Sequence, residues 1–131
     1  MANKFFIVLL LLFSTTCFAQ QNDTIDGQRV LPFSQVMPKF KGDIVKYVAD
    51  SLQFIAINNE QVQGHVYVSF IIDTAGNICR PIISQPYEKG KITRVEQEVL
   101  KVVSHMPKWI PGYQNGKAVP VRYEIPVTVS F

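Results

Sequence analysis

The sequence lacks the residue patterns that most enzymes and nucleic-acid binders need. Its 131 residues contain 13 Lys and Arg against 10 Asp and Glu, and the basic residues form no cluster of the kind that a phosphate backbone requires. No glycine-rich phosphate loop and no Gly-x-Ser-x-Gly nucleophile elbow is present. We therefore expect no nucleic-acid partner and no small-molecule substrate.

Candidate catalytic and metal-binding side chains are few and scattered. The two histidines, His65 and His105, are 40 residues apart, and neither has a cysteine or carboxylate beside it at ligand spacing. Cys79 has no histidine at a neighbouring predicted strand position that could activate its thiol. We expect no catalytic, metal-binding or cofactor-binding site, and we expect that the chain is not an enzyme.

The first residues have the order of an export signal. Lys4 precedes nine uninterrupted apolar residues at positions 5–13, and Cys17-Phe18-Ala19 then supplies a small-x-small cleavage motif. A helix reaching Ala19 would rise only about 22 Å, against a hydrocarbon core of roughly 30 Å. We predict a signal peptide at residues 1–19 and an exported mature protein. The alternative is an uncleaved N-terminus that tethers the chain to the inner membrane.

Cleavage after Ala19 would leave Cys79 as the only cysteine of an exported protein. An intramolecular disulfide is then excluded, so the fold has to be stable through packing alone. Cys79 could pair between chains, but a small, partly buried apolar residue is the simpler interpretation. A lipoprotein acylated on Cys17 is a further alternative, although Thr16 stands where such signals have a small residue.

The remaining chain divides into a lead-in and one domain. Residues 20–31 are polar and have no apolar period, so we predict a flexible lead-in before a domain at residues 32–131. A first helix is predicted to begin after Asp43, which can cap it. Its apolar positions have helical spacing, and they are Ile44, Tyr47, Val48, Ser51 and Leu52. A second helix is predicted after the capping box Thr93-Arg94-Val95-Glu96.

A hairpin is predicted between the two helices. Residues 64–73 alternate in polarity with a period of two, and Asp73-Thr74-Ala75-Gly76-Asn77 can form a turn with Gly76 in the left-handed conformation. Residues 78–84 are the returning strand. Counting back from the turn places Ile78 beside Ile72, Cys79 beside Ile71, and Ile82 beside Val68.

The last predicted strand, residues 119–131, alternates apolar residues with polar residues and two prolines. Because proline cannot donate to a strand ladder, this strand and the returning strand, which contains Pro81, belong at the edges. We predict an α+β fold, a two-layer sandwich of two helices on a three-stranded antiparallel sheet in the order second-first-third. Backbone groups that share parity with Pro120 and Pro126 then point outward. They form the predicted partner-strand site, Arg122, Glu124, Thr128 and Ser130.

With these elements in order, the chain resembles the TonB C-terminal domain family in its short exported form. The segments that carry the resemblance extend from about Met37 to Phe131. They are Met37-Pro38-Lys39-Phe40 with Gly42, Gln63-Gly64 leading into Val66-Tyr67-Val68-Ser69-Phe70, the Asp73 to Gly76 turn, Met106-Pro107-Lys108-Trp109 with Pro111-Gly112, and Asn115-Gly116-Lys117 before the terminal strand. The resemblance implies a periplasmic module that pairs its last strand with an extended segment of an outer-membrane receptor. Such β-augmentation would link it to TonB-dependent transmembrane transport.

The resemblance also indicates which partners to expect. The 12-residue lead-in could stretch at most about 40 Å, far less than the long proline-rich spacer of a full energy transducer. We therefore expect a binding module in the cell envelope, whose partner is an outer-membrane TonB-dependent receptor or another envelope protein. The alternative is a self-associating assembly domain, a homodimer with no transport role.

Overall fold

The computed structural model describes residues 23–52, 63–86 and 93–130. Two helices and seven strands lie in this part of the chain, in the order β1 (Thr24–Ile25), β2 (Gln28–Arg29), α1 (Ile44–Leu52), β3 (Gln63–Ile72), β4 (Ile78–Ile83), α2 (Arg94–Ser104), β5 (Gly112–Gln114), β6 (Lys117–Val119) and β7 (Val121–Ser130). Strands β4, β3 and β7 form an antiparallel three-stranded sheet in that spatial order. The predicted α+β class and the second-first-third strand order are confirmed. The description as a two-layer sandwich omits two separate hairpins, β1–β2 and β5–β6.

Both helices begin at the predicted caps. The amide of Lys46 donates to Asp43 Oδ1 at 3.1 Å, which satisfies one of the free donors in the first turn of α1. At α2 the amide of Glu96 donates to Thr93 Oγ1 at 3.2 Å, and the amide of Thr93 donates to Glu96 Oε2 at 2.8 Å. The capping box is therefore complete.

One hydrophobic core joins both helices to one face of the sheet. It contains Val48 and Leu52 of α1, Val99 and Val103 of α2, Val68 and Phe70 of β3, and Ile125 and Val127 of β7. Trp109, which follows α2, packs its ring against Phe40, Phe70 and Tyr123. Its backbone amide also donates to the carbonyl of Gly76 at 2.9 Å, so the turn between β3 and β4 is attached to the segment after α2.

The predicted register of β4 is correct at its beginning and wrong at its end. Ile78 lies opposite Ile72 and Cys79 opposite Ile71, but the register then shifts, so that Ile82 faces Ser69 and Ile83 faces Val68. Arg80 has a φ of 49° and marks a β-bulge, an extra residue that turns the following side chains to the other face. Ile83 consequently packs against the core, whereas Ile82 is half exposed.

The lead-in differs from the predicted flexible segment. From Asp23 onward it forms the β1–β2 hairpin, which turns at Asp26 and Gly27 with φ angles of 51° and 76°. Arg122 of β7 forms an ion pair with Asp23, and Arg80 of β4 donates to the carbonyl of Thr24 at 3.2 Å. These bonds hold the hairpin beside the sheet face opposite the core, where Ile71 and Ser69 are buried. The predicted signal peptide, residues 1–19, lies outside the described residues.

The predicted last strand is divided in the structure. Residues 117–119 form β6 and pair with β5 around a turn at Asn115 and Gly116, whose φ angles are 51° and 74°. Pro120 separates β6 from β7 because it has no amide to continue the ladder. Phe131 lies outside the described residues. Within the described part of the chain, no helix is both long enough and apolar enough to span a membrane.

Candidate strand-pairing edge

The main-chain groups of β7 alternate between its neighbour β3 and the outside of the sheet. Strand β7 pairs with β3 through ten consecutive residue pairs, with Pro126 opposite Tyr67. The amide of Arg122 donates to Leu31 at 2.8 Å and not to β3, so this position points outward. By the alternation of an antiparallel strand, the backbone groups of Glu124, Pro126, Thr128 and Ser130 point the same way. Pro126 occupies a position where no bond to β3 is lost.

The chain itself occupies the beginning of this edge. The amide of Leu31 donates to the carbonyl of Pro120 at 2.9 Å, and Leu31 in turn accepts from Arg122 in a parallel bridge to Val121. The Arg122 guanidinium is also engaged, since it pairs with Asp23 and donates to Ser69 Oγ at 3.4 Å. Arg122, one of the four predicted partner-strand residues, is therefore already paired within this structure.

The rest of the edge is not paired with any other described segment. Within residues 23–52, 63–86 and 93–130, no backbone carbonyl of another segment accepts a hydrogen bond from the outward amides of Glu124, Thr128 and Ser130. The side chains of Glu124 and Thr128 are exposed, and Thr128 Oγ1 lies 3.3 Å from His65 Nδ1. We call the outward main-chain groups of residues 124–130 the free edge.

An apolar groove runs along the free edge. It has a volume of about 440 Å³ and lies between α1 and β7; its walls are Ile44, Val45, Val48 and Ala49 on the helix and residues 123–128 on the strand. Val45 is 74% exposed, which is high for a valine. The sequence reasoning considered only the inner face of α1 and missed this groove. Val45 and Ala49, spaced i and i+4, were the signal for a second apolar row on the helix.

The structure does not bring the candidate catalytic residues together. Among the described residues, no three His, Cys, Asp or Glu side chains are placed to hold a metal ion. His105 ends α2, and its Nδ1 lies 2.7 Å from the carbonyl of Lys101. Cys79 Sγ lies 3.8 Å from Asp73 Oδ2. Burial, together with the nearby Asp73 carboxylate, raises the pKa of the Cys79 thiol, which disfavours the nucleophilic thiolate.

The fold and the free edge define the class of protein, a small α+β domain whose last strand has an edge at residues 124–130 that no other described segment pairs with. A model of the family described as Gram-negative bacterial TonB protein C-terminal matches residues 56–130, which is more than half of the chain. The chain therefore belongs to the TonB C-terminal family, as the sequence resemblance indicated. Neither a curated protein nor a solved structure matches it.

Family membership sets the general functional context. Domains of this family are non-catalytic protein-interaction domains of the cell envelope, and they interact with outer-membrane receptors in general. The matched residues contain β3, β4, α2 and β7, and with them the whole free edge.

Proposed function

We propose that this chain is a periplasmic binding module that pairs residues 124–130 of β7 with an extended segment of an outer-membrane receptor or another envelope protein. Export would depend on the signal peptide at residues 1–19, and the binding would be linked to TonB-dependent transmembrane transport. Glu124, Thr128 and Ser130 would supply the main-chain groups of the binding site. No catalytic step is part of the proposal.

The observation that carries the proposal is the free edge itself. Beyond the Leu31 bridge, no described segment pairs with the outward groups of residues 124–130 of β7, which are seven residues with a length of roughly 23 Å. In β-augmentation the partner's main chain binds such outward amides and carbonyls, and each hydrogen bond contributes about 0.5–1.5 kcal/mol net. Pro126 offers only a carbonyl, so the partner loses one bond in the middle of the pairing.

The attachment of the lead-in to the sheet favours a local binding role over long-range force transmission. From Asp23 to Leu31 it is attached to the sheet through the Asp23–Arg122 ion pair, the bond from Arg80 to Thr24, and the Leu31 bridge. A segment held in this way adds little reach to the domain. We therefore propose that the chain binds its partner close to wherever the domain itself is located.

In-cell photocrosslinking tests the proposal. A photoreactive residue at Glu124 should capture the periplasmic segment of an outer-membrane receptor or another envelope protein. The matched control is the same photoreactive residue at Ile82, which is 50% exposed but lies on the opposite edge strand, β4. Mass spectrometry of the mature protein should also find Gln20 at its N-terminus.

Three outcomes would contradict the proposal. Equal capture from Glu124 and Ile82 would show that the free edge is not the binding site. Capture of only a second copy of this chain would support the alternative, a self-associating assembly domain. An uncleaved N-terminus would replace the exported form by one tethered to the inner membrane.

A further inference from the structure

We infer that the α1–β7 groove selects the partner by its side chains, and that the partner is an extended segment in which apolar residues alternate with basic ones. This inference rests on the proposed strand pairing at the free edge. It goes further because main-chain pairing alone accepts almost any sequence, whereas the groove and the charge beside it do not.

The position of a paired strand decides where its side chains go. A strand bound to the free edge lies about 4.8 Å beyond β7, and its successive side chains point to opposite faces of the sheet. On the helix side, the odd-numbered residues Tyr123, Ile125 and Val127 form one wall of the groove, and Val45 and Ala49 of α1 form the other. Every second partner side chain therefore enters an apolar channel. Aliphatic residues at alternate positions would fill it and cover Val45.

The opposite face of the same edge carries a negative charge. Glu124 lies opposite Ser69, on the face where the Arg122 guanidinium reaches Ser69 Oγ. Arg122 is neutralised by Asp23, whereas Glu124 is exposed and forms no ion pair with any other described residue. Opposite charges on adjacent strands attract and like charges repel. A lysine or arginine beside Glu124 is therefore favoured, and an acidic residue is disfavoured.

Three seven-residue peptides test the two parts of the inference. They alternate valine with lysine, serine with lysine, and valine with glutamate, and each is titrated calorimetrically into the protein purified from the envelope of cells that produce the full chain. We expect the valine–lysine peptide to bind at least about tenfold more tightly than either of the others. Glu124→Gln should reduce the preference for lysine over glutamate and leave the preference for valine over serine unchanged.

A pair of protein variants assigns the apolar preference to the groove. Val45→Ser removes apolar surface from the groove and should weaken binding of the valine–lysine peptide at least about fivefold. The matched control is Val36→Ser, a change at another exposed valine, which lies outside the groove and should leave binding unchanged. Circular dichroism of both variants checks that α1 and the sheet are intact.

The outcomes separate this inference from the proposed function. In one outcome, the serine–lysine peptide binds as tightly as the valine–lysine peptide, and N-methylation of alternate peptide amides abolishes the binding of both. That result would mean that strand pairing is right and selection by the groove is wrong. If no peptide binds and the photoreactive residue at position 124 captures no protein, both the proposed function and this inference are wrong. If Val45→Ser instead lowers self-association in sedimentation equilibrium while no peptide binds, a second copy occupies the groove and the inference is overturned.

Discussion

The two edges of the central sheet differ although both outer strands contain proline. In β4, Pro81 follows Arg80, whose left-handed backbone forms the bulge, and the strand has only four paired residues with a shift between them. In β7, Pro126 sits within ten uninterrupted pairs. Bulges and prolines are means by which proteins protect strand edges from unwanted pairing. The β4 edge combines a bulge with a proline, whereas residues 124–130 of β7 carry the single proline Pro126 and no bulge.

The difference shows that the effect of a proline depends on its position in the ladder. Pro126 stands at an outward position, so β7 keeps its register with β3 and offers a regular edge that lacks one donor. The Arg80 bulge reverses the faces of the residues that follow and exposes Ile82. The β7 edge therefore offers a partner strand a regular ladder, whereas the ladder at the β4 edge is interrupted.

The largest effect is expected from disrupting the hydrophobic core under the sheet, which supports both edge strands. Val121 begins β7, lies opposite Ile72 and is fully buried. Val121→Asp would bury an unpaired charge, so we expect a loss of more than about 4 kcal/mol in the free energy of unfolding, measured with urea. Val36→Asp, at an exposed valine, is the control and should change it by less than about 0.5 kcal/mol. A near-neutral Val121→Asp variant would mean that the inner face of β7 is not in the core.

Thr128→Pro is expected to weaken partner pairing at the β7 edge while largely sparing stability. The change removes an outward donor and no bond to β3, so partner affinity should fall at least about tenfold, or 1.4 kcal/mol, while stability falls by less than about 1 kcal/mol. Thr128→Ala keeps the amide and loses only the side-chain contact with His65, so it should bind normally. Unfolding of Thr128→Pro would show that this amide points toward β3.

A smaller effect is expected at the bulge of the β4 edge. Arg80 has a φ of 49°, which is unfavourable for a β-branched residue and easy for glycine. Arg80→Val should therefore be about 1–2 kcal/mol less stable than Arg80→Gly. Both variants lose the hydrogen bond to Thr24, so the difference between their free energies of unfolding reports the effect of the backbone conformation at position 80. Equal urea midpoints for the two would contradict a left-handed Arg80.

The smallest effect is expected at Cys79, next to that bulge. Because burial and then Asp73 raise the pKa of the thiol, its thiolate fraction at a given pH is lower than that of a free cysteine. Iodoacetamide should modify Cys79 slowly near pH 7, with the rate rising at higher pH than for a small thiol. Asp73→Asn should speed the reaction, as measured by mass spectrometry of the Cys79 peptide. A pH profile identical to that of a free thiol would refute the shift.

The parts of the fold that depend on local pattern could be predicted. Asp43 and Thr93 cap the helices through bonds to residues three positions away, and the period of two in β3 and β7 follows directly from their apolar residues. The outward parity of β7 followed from its prolines alone. These features need only neighbouring residues, which is why the sequence contains enough information about them.

The remaining features depend on contacts between distant segments or on weak local signals. Pro81 beside Arg80 is compatible with a bulge but equally with an ordinary edge strand, and the positive φ at Arg80 is not at a glycine, so the local sequence does not single out the bulge. The β1–β2 and β5–β6 hairpins carry Asp26-Gly27 and Asn115-Gly116, which favour such turns, but their strands have only two or three residues. The Leu31 bridge joins positions 31 and 121, and the groove exists only because α1 lies beside β7.

The position of Trp109 gives the domain its own optical reporter. It is the single tryptophan of the chain, is 2% exposed, and its ring centroid lies 5.1 Å from that of Tyr123. Tyr123 also lines the groove beside the free edge. The emission of the buried indole should therefore shift to the red when the core opens to water. Through Tyr123 it should also respond when the edge is occupied, so that binding can be followed in the unlabelled protein.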